Sequence, residues 1–264
     1  FMYGDGPRKT IVTGNLDNAR KHIQTWKTAT FAAVGNGFIA KSMGFRNTAG
    51  PEGHQAVALR TQSDMSVFYH CRIDGYQDTL LYHAERSFFR NCIISGTVDF
   101  TFGKGSCVIQ NSRIIARLGM KGNMNTVTAD GREYAREPTG LVIQNCELVA
   151  EAQLEPNKAK IPSYLGRPWS AYSTTMVMES RIGDFLRPEG WMKWNETSKF
   201  ENSCEYREYG NKGPGADKSK RVKWPGFKVV DKAQAEKYTI TRFSRGSLRA
   251  LKPSGVPFTF GFAA

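Results

Sequence analysis

The chain has 264 residues, and Lys+Arg 37 against Asp+Glu 24 leaves a formal net charge of +13, with 40% hydrophobic and 23% charged residues. This composition excludes a disordered or collagen-like chain, and the length can bury a large core in one or two domains. No apolar run approaches the roughly 18 residues of a membrane span, and apolar FMYG opens the chain as though inside a strand, so any targeting segment is expected upstream of Phe1.

Self-similarity then runs along the chain in six segments, FIAKSMGF, FYHCRIDG, FFRNCIIS, VIQNSRII, VIQNCELV and VMESRIGD. Each sets apolar residues ahead of a small residue. Those small residues are Gly44, Cys71, Cys92, Ser112, Cys146 and Ser180, at steps of 27, 21, 20, 34 and 34. Steps near 20, rich in β-branched and aromatic residues with Gly, Asn and Asp between, predict one strand-rich coil per repeat. The longer steps predict coils that carry loop insertions. Stacked coils pair at roughly 4.8 Å, so the small residues are expected to form an internal ladder. No 3.6-residue period is sustained, which argues against a helical repeat. Residues 210–226, rich in Gly, Pro and Lys, predict a loop closing over the solenoid, and Asp231 to Tyr238 (DKAQAEKY) predicts a short helix in the tail. With no strong boundary, residues 1–264 are expected to form a single all-β solenoid domain.

The charge implies attraction to a polyanion: nucleic acid, an anionic membrane or an acidic polysaccharide. The bases are scattered, Lys218 to Lys223 (KSKRVK) being the one cluster, and no nucleic-acid motif is present, so neither nucleic acid nor membrane is the expected partner. Five cysteines, Cys71, Cys92, Cys107, Cys146 and Cys204, include no C-x-x-C pair, which argues against zinc, and no metal or other cofactor is expected. Their odd number leaves at least one thiol free in a monomer. Asn195-Glu196-Thr197 is an N-x-T acceptor that matters only in a secretory compartment.

If Cys71 and Cys92 stack, the residues seven positions on, Asp78 and Asp99, stack as well. Two carboxylates about 5 Å apart among apolar and amide neighbours cannot both ionise freely, so one holds a proton while the other is charged. That division supplies an acid and a nucleophile. The competing reading has both aspartates capping turns between strands. Gln55 and Gln77 lie nearby with amide donors suited to an oxyanion, although a single glutamine is more often a surface residue. Arg167, in LGRPW, offers a planar fork for a carboxylate. Its alternative is a surface arginine stacked on Trp169.

The blocks Gly50 to Arg60 (GPEGHQAVALR), Tyr76 to Leu80 (YQDTL), Gly96 to Phe100 (GTVDF) and Leu165 to Trp169 (LGRPW) resemble, in order and interval, the signature blocks of plant pectin methylesterases. The resemblance runs from about Gly4 to Gly261, through Asn125 to Ala129, Gly190-Trp191 and Gly255 to Phe258. It implies a right-handed parallel β-helix, a secreted cell-wall protein that acts as a monomer without metal, and hydrolysis of the methyl esters of polygalacturonate. Pectin is the implied partner, together with a proteinaceous pectin methylesterase inhibitor. Asp99 resembles the family's nucleophile, Asp78 its acid and then base, Gln55 and Gln77 its oxyanion donors, and Arg167 the partner of Asp99. Trp169, Trp26 and Phe102 fall at groove aromatics that bind substrate. The sequence departs from the pattern in places. The opening coil with its G-x-Y-x-E strand is absent before Phe1. Gly44 and Ser112 stand where many members have cysteines bridged to those matching Cys71 and Cys146. Thr101 occupies a usually apolar place, Asn123 and Asp130 replace glutamines, and residues 199–209 are atypical. Two other functions remain open at this point: a retaining two-aspartate glycoside hydrolase, and a non-catalytic pectin-binding protein of the same fold.

Overall fold

The computed structural model describes residues 1–244 and 248–263. Among these, the strands form three parallel sheets of nine, seven and six strands; each of the first six coils adds one strand to each sheet, and the later strands extend the nine- and seven-stranded sheets alone. Ile39–Lys41, Gly44–Asn47 and Leu59–Thr61 make one coil, and Ser66–Tyr69, Arg72–Asp74 and Leu80–Tyr82 make the next. The result is a right-handed parallel β-helix, the hand that twisted strands of L-residues impose on parallel crossovers. Alternate residues of each strand point inward. Phe68 and Phe89 stack inside with ring centroids 4.7 Å apart and planes 7° from parallel. No helix of the described residues is long and apolar enough to cross a membrane.

The internal ladder is present, but its top member differs from the sequence expectation. Gly44 pairs with Arg72, which pairs with Ile93, so the residue above Cys71 is Met43 and the column reads Met43, Cys71, Cys92, Ser112, Cys146, Ser180, all buried. The reason for the slip is local. A Cβ on Gly44 would lie 2.7 Å from the carbonyl oxygen of Pro7 in the preceding coil, so glycine is required there by close backbone approach. The ladder is also polar in function. Ser112 Oγ accepts from the Cys92 amide at 3.0 Å and Ser180 Oγ from the Cys146 amide at 3.1 Å. All five cysteines are buried free thiols.

One position before each ladder residue, Ser42, His70, Asn91, Asn111, Asn145 and Glu179 all adopt φ between 49° and 55°. This left-handed column turns the chain sharply from the nine-stranded to the seven-stranded sheet, and asparagine is favoured because it tolerates that conformation.

The far end and one flank are covered by the chain's own C-terminal third. Residues 210–226 fold back over the last coils, with Val222 and Trp224 packed against the core. The basic run 218–223 is not a uniform surface cluster: Arg221 is turned inward, where its Nε donates to Glu208 Oε1 at 2.8 Å. The predicted tail helix is shorter than expected. Asp231 caps Lys232–Ala235 through a capping box with Gln234, and the chain tightens into a 3₁₀ turn at Glu236–Tyr238. Ile240–Phe243 and Leu248–Ser254 follow as further helical turns. Val230, Ala235, Tyr238, Ile240, Leu251 and Val256 bury the outer face of the nine-stranded sheet.

Candidate active site

The outer face of the six-stranded sheet is left open, and the candidate residues gather beside it. Two turns with the same spacing, Gly75 to Thr79 and Gly96 to Phe100, lead into the adjacent strands Leu80–Tyr82 and Thr101–Gly103. Leu80 pairs with Thr101, which places Asp78 in register with Asp99 two residues earlier. The Asp78 amide donates to the Val98 carbonyl at 3.0 Å, locking the turns together. Both aspartates take left-handed backbone conformations, φ 62° and 49°, and are 7% and 5% exposed. An L-residue there bears a strain of roughly 1–2 kcal/mol, which the stacked turns sustain.

The environments of the two carboxyls differ. Arg167, just after strand Ser163–Gly166, reaches Asp99 bidentately, Nε to Oδ1 at 2.9 Å and Nη2 to Oδ2 at 2.6 Å. Thr126, on strand Asn125–Asp130, donates its hydroxyl to Asp99 Oδ1 at 2.6 Å and accepts from the Asp99 amide at 2.7 Å. Asp99 is thus fixed from two sides by groups that favour a charged acceptor. No donor among the described residues reaches the Asp78 carboxyl. Burial, reinforced by the charge of Asp99 and only partly offset by Arg167, raises its pKa well above the usual carboxylate range. Burial of Arg167 opposes its charge, yet its hydrogen bonds to Asp99 leave its pKa raised overall. One carboxylate held in place beside a neighbour that keeps its proton is an arrangement suited to nucleophilic attack with acid assistance.

Gln55 and Gln77 lie on adjacent coils at the rim, both half-buried, and the Gln77 carbonyl accepts from the Ala56 amide at 3.2 Å. Their side-chain amides have no hydrogen-bond partner among the described residues and are free to donate to a ligand. Trp169 rests on Phe102 with ring centroids 6.2 Å apart, and Lys104 Nζ lies 5.1 Å from its ring centre. Its amide donates to the Asp130 carbonyl at 3.0 Å, and the indole is so close to Gly131 that a Cβ there would meet it at 2.5 Å. Phe102 is only 6% exposed, so it forms the floor beneath Trp169 more than a contact surface. Trp26 is 40% exposed, on the side of the aspartates toward the first coils, beside His83 and Arg60.

Two neighbours of the site escaped the sequence reading. Arg167 stacks on Trp194, 4.4 Å from its ring centre, and not on Trp169. Thr126 had a signal only as part of a resembling block, with no role attached. Asp130 is fully buried at the end of the same strand, accepting from Tyr82 Oη at 3.1 Å and the Thr174 amide at 2.7 Å, and burial raises its pKa to about 7.

Comparison with known proteins places this geometry among relatives. The family model described as Pectinesterase matches residues 1–247. The chain is 51% identical over 260 residues to an Arabidopsis thaliana protein called probable pectinesterase/pectinesterase inhibitor 13, covering 98% of this chain and 42% of that one. It is 49% identical over 267 residues to the Prunus persica pectinesterase/pectinesterase inhibitor PPE8B, covering 99% of this chain and 50% of that one. It therefore spans half or less of the length of these curated relatives. Among solved structures, pectin methylesterase from carrot superposes with a TM-score of 0.96 at 44% identity, covering 99% of this chain and 82% of that one. An Aspergillus niger pectin methylesterase superposes at 0.78 with 28% identity, covering 94% of this chain and 78% of that one. The chain belongs to the pectinesterase family.

Proposed function

We propose that the chain is a carboxylic ester hydrolase that removes methyl groups from methyl-esterified polygalacturonate. The observation that carries this reading is the asymmetric aspartate pair: Asp99 fixed by Arg167 and Thr126, and Asp78 buried beside it with its pKa raised. A galacturonate methyl ester lies in the open groove, held by Trp169 and Trp26 over the floor that Phe102 provides. A carboxylate oxygen of Asp99 attacks the ester carbonyl carbon, and the oxyanion is met by the Gln55 and Gln77 amides. The tetrahedral intermediate collapses as the carbon to methoxy bond breaks, and Asp78 gives its proton to the leaving oxygen, releasing methanol. Asp78, now charged, takes a proton from water, whose oxygen attacks the acyl-enzyme. Asp99 leaves as a carboxylate, and the galacturonic acid product loses its proton to solvent.

The protein's place of work is the cell wall, reached by secretion, with pectin as its macromolecular partner. A pectin methylesterase inhibitor protein is a second partner, suggested by the paired names of the relatives. The test is methanol release from methylated pectin, with viscosity followed in parallel. Methanol without a fall in viscosity supports the esterase. A fall in viscosity supports a glycoside hydrolase, and binding with neither supports a non-catalytic pectin-binding protein.

A further inference from the structure

The two turns that carry the aspartates are closed tightly from within. A Cβ on Gly75 would meet Thr79 Oγ1 at 2.7 Å, and one on Gly96 would meet the same oxygen at 2.6 Å. The Thr79 hydroxyl lies 3.1 Å from the Tyr76 and Ser95 carbonyl oxygens alike. From outside, on the flank of the seven-stranded sheet, both turns are held by one residue that takes no part in the proposed steps. Arg117 lies one position past strand Arg113–Ala116, in the coil after that of Asp99 and two after that of Asp78. Its amide donates to the Gly96 carbonyl at 2.8 Å. Its side chain crosses the intervening coil, where Nη1 donates to the Gly75 carbonyl at 2.8 Å and Nη2 to Tyr76 Oη at 3.0 Å.

The guanidinium carbon of Arg117 stands 3.9 Å from the centre of the Tyr76 ring. Glu151, one coil further on, fixes its other edge: Arg117 Nε donates to Oε2 at 3.3 Å, and Oε1 accepts from the Leu118 amide at 2.6 Å. The Arg117 carbonyl accepts from Asn125 Nδ2 at 3.0 Å, and Thr126, the next residue on that strand, holds Asp99. Arg117 is thus bonded to the first residue of the Asp78 turn, to the first residue of the Asp99 turn and to the strand that anchors Asp99. Coils of a solenoid otherwise touch only their neighbours, and the planar fork of a guanidinium lets one side chain fix two acceptors at once. Both aspartates take left-handed conformations, which persist only where the surroundings enforce them.

We infer that Arg117 is a positioning residue for ester cleavage, which acts through the backbone of the two turns and sets where Asp78 stands relative to Asp99. The inference rests on the demethylation reading and adds a residue outside the groove to it. Cleavage needs the Asp78 proton delivered to the leaving oxygen while Asp99 is bonded to the carbonyl carbon, and a misplacement of about 1 Å costs on the order of 10²-fold. Asp99 is held by Arg167 and Thr126 through its side chain. No donor among the described residues reaches the Asp78 carboxyl, so its place depends on the backbone of its turn. The charged groups that act on Asp78 are Asp99 on the neighbouring turn and Arg167 after strand Ser163–Gly166. Arg117 is not one of them, so removing its charge reaches Asp78 only by letting the turn move.

The experiment measures kcat and KM for methanol release from methylated pectin across pH, with the folded fraction of each variant followed by circular dichroism. Arg117→Gln should lower kcat by about ten- to a hundredfold with KM within about twofold of the parent. A looser turn lets water reach Asp78, so the alkaline limb of the pH profile should also move to lower pH. Arg117→Lys supplies a point charge in place of a fork and should recover only part of the loss. Glu151→Gln leaves the guanidinium and its two bonds to the Asp78 turn in place, and should show the same changes to a smaller extent; it decides by the same pH criterion if Arg117→Gln does not fold. A change in KM alone, or a loss of kcat that follows the folded fraction with the parental pH profile, would overturn the inference. If the parent releases no methanol, the demethylation reading fails, and titration of the Asp78 carboxyl, followed by carbon-13 NMR and assigned with Asp78→Asn, decides the positioning separately. A titration displaced to lower pH in Arg117→Gln supports it, and the parental titration overturns it.

Discussion

The outer faces of the nine-stranded and six-stranded sheets are built on the same repeating backbone and have opposite fates. On the first, Val67, Phe88, Val108, Val142 and Met176 stand in one register column, and the tail lies over them. On the second, the equivalent outward column is Arg60, Leu81, Phe102 and Ala129, and Trp169 and Trp194 cover only part of it. Alternate residues of a strand face opposite ways, so outward positions can change from aliphatic to charged without disturbing the interior. The solenoid uses this freedom to make one flank a packing surface and to leave the other open. The strained left-handed aspartates, Asp78 and Asp99, stand beside the open flank.

The sharpest way to break this contrast is Asp99→Asn. Without the proposed nucleophile the open flank should lose at least about 10³-fold in methanol release, with a native circular dichroism spectrum because the shapes are nearly the same. Activity within tenfold of the parent, about 1.4 kcal/mol, would sink the assignment. Asp78→Asn is expected to slow the reaction by about 10²- to 10⁴-fold. The proposed mechanism requires this group protonated, so the parent's rate should decline as pH rises through the elevated pKa of Asp78. The residual rate of the variant should lack that alkaline limb, and an identical pH profile would place the acid elsewhere.

On the closed flank, Ile240→Ala should lower unfolding stability by about 3 kcal/mol, read by denaturant titration, while kcat/KM stays at the parental value. A parallel loss of activity would mean that the two flanks are coupled. Asp130 tests the strand between them. Its pKa is about 7 in the folded protein against an ordinary value of 3.8, so the folded state retains a proton that the unfolded state has lost. Stability contributed by this group should therefore fall as pH rises from about 4 to about 7, by on the order of 4 kcal/mol. Asp130→Asn should flatten that dependence. The smallest effect is expected from Thr101→Val: Thr101 Oγ1 is buried without a partner, and its removal should raise stability by about 1 kcal/mol.

The stacking of Asp78 on Asp99 was legible because no insertion lies between Cys71 and Cys92, so sequence offset equals register there. Where insertions intervene, that equality is lost. Arg167 reaches Asp99 across 68 residues, and only the folded coils reveal that Trp194, not Trp169, backs its guanidinium. Thr126 was opaque for the same reason, since its strand, Asn125–Asp130, follows the 117–124 loop within its coil. The slip at Gly44 came from a contact with the Pro7 carbonyl, which no internal periodicity can report. Arg221 looked like one more surface base because its partner Glu208 lies on another strand, inside the end cap. The left-handed column was written openly in the repeats as the Asn before Cys or Ser, yet it reads as a loop residue until three coils are laid side by side.

Stacked repeats that touch only their neighbours tend to come apart one coil at a time from an end. The tail alters that here. Gln110 and Gln144, whose side-chain amides join at 2.8 Å, also hold the backbone carbonyls of Thr259 and Gly261, at 2.9 Å and 2.7 Å. The last residues of the chain thereby bridge middle coils made more than a hundred residues earlier, and Lys41 Nζ, near the first coils, holds the Ser254 carbonyl at 2.7 Å. Coils that would otherwise fray independently share one clasp, so melting should be a single concerted event instead of an unzipping. Residues 254–261 are also synthesised after the coils they bridge, which makes a seated clasp a report that those coils have found their register.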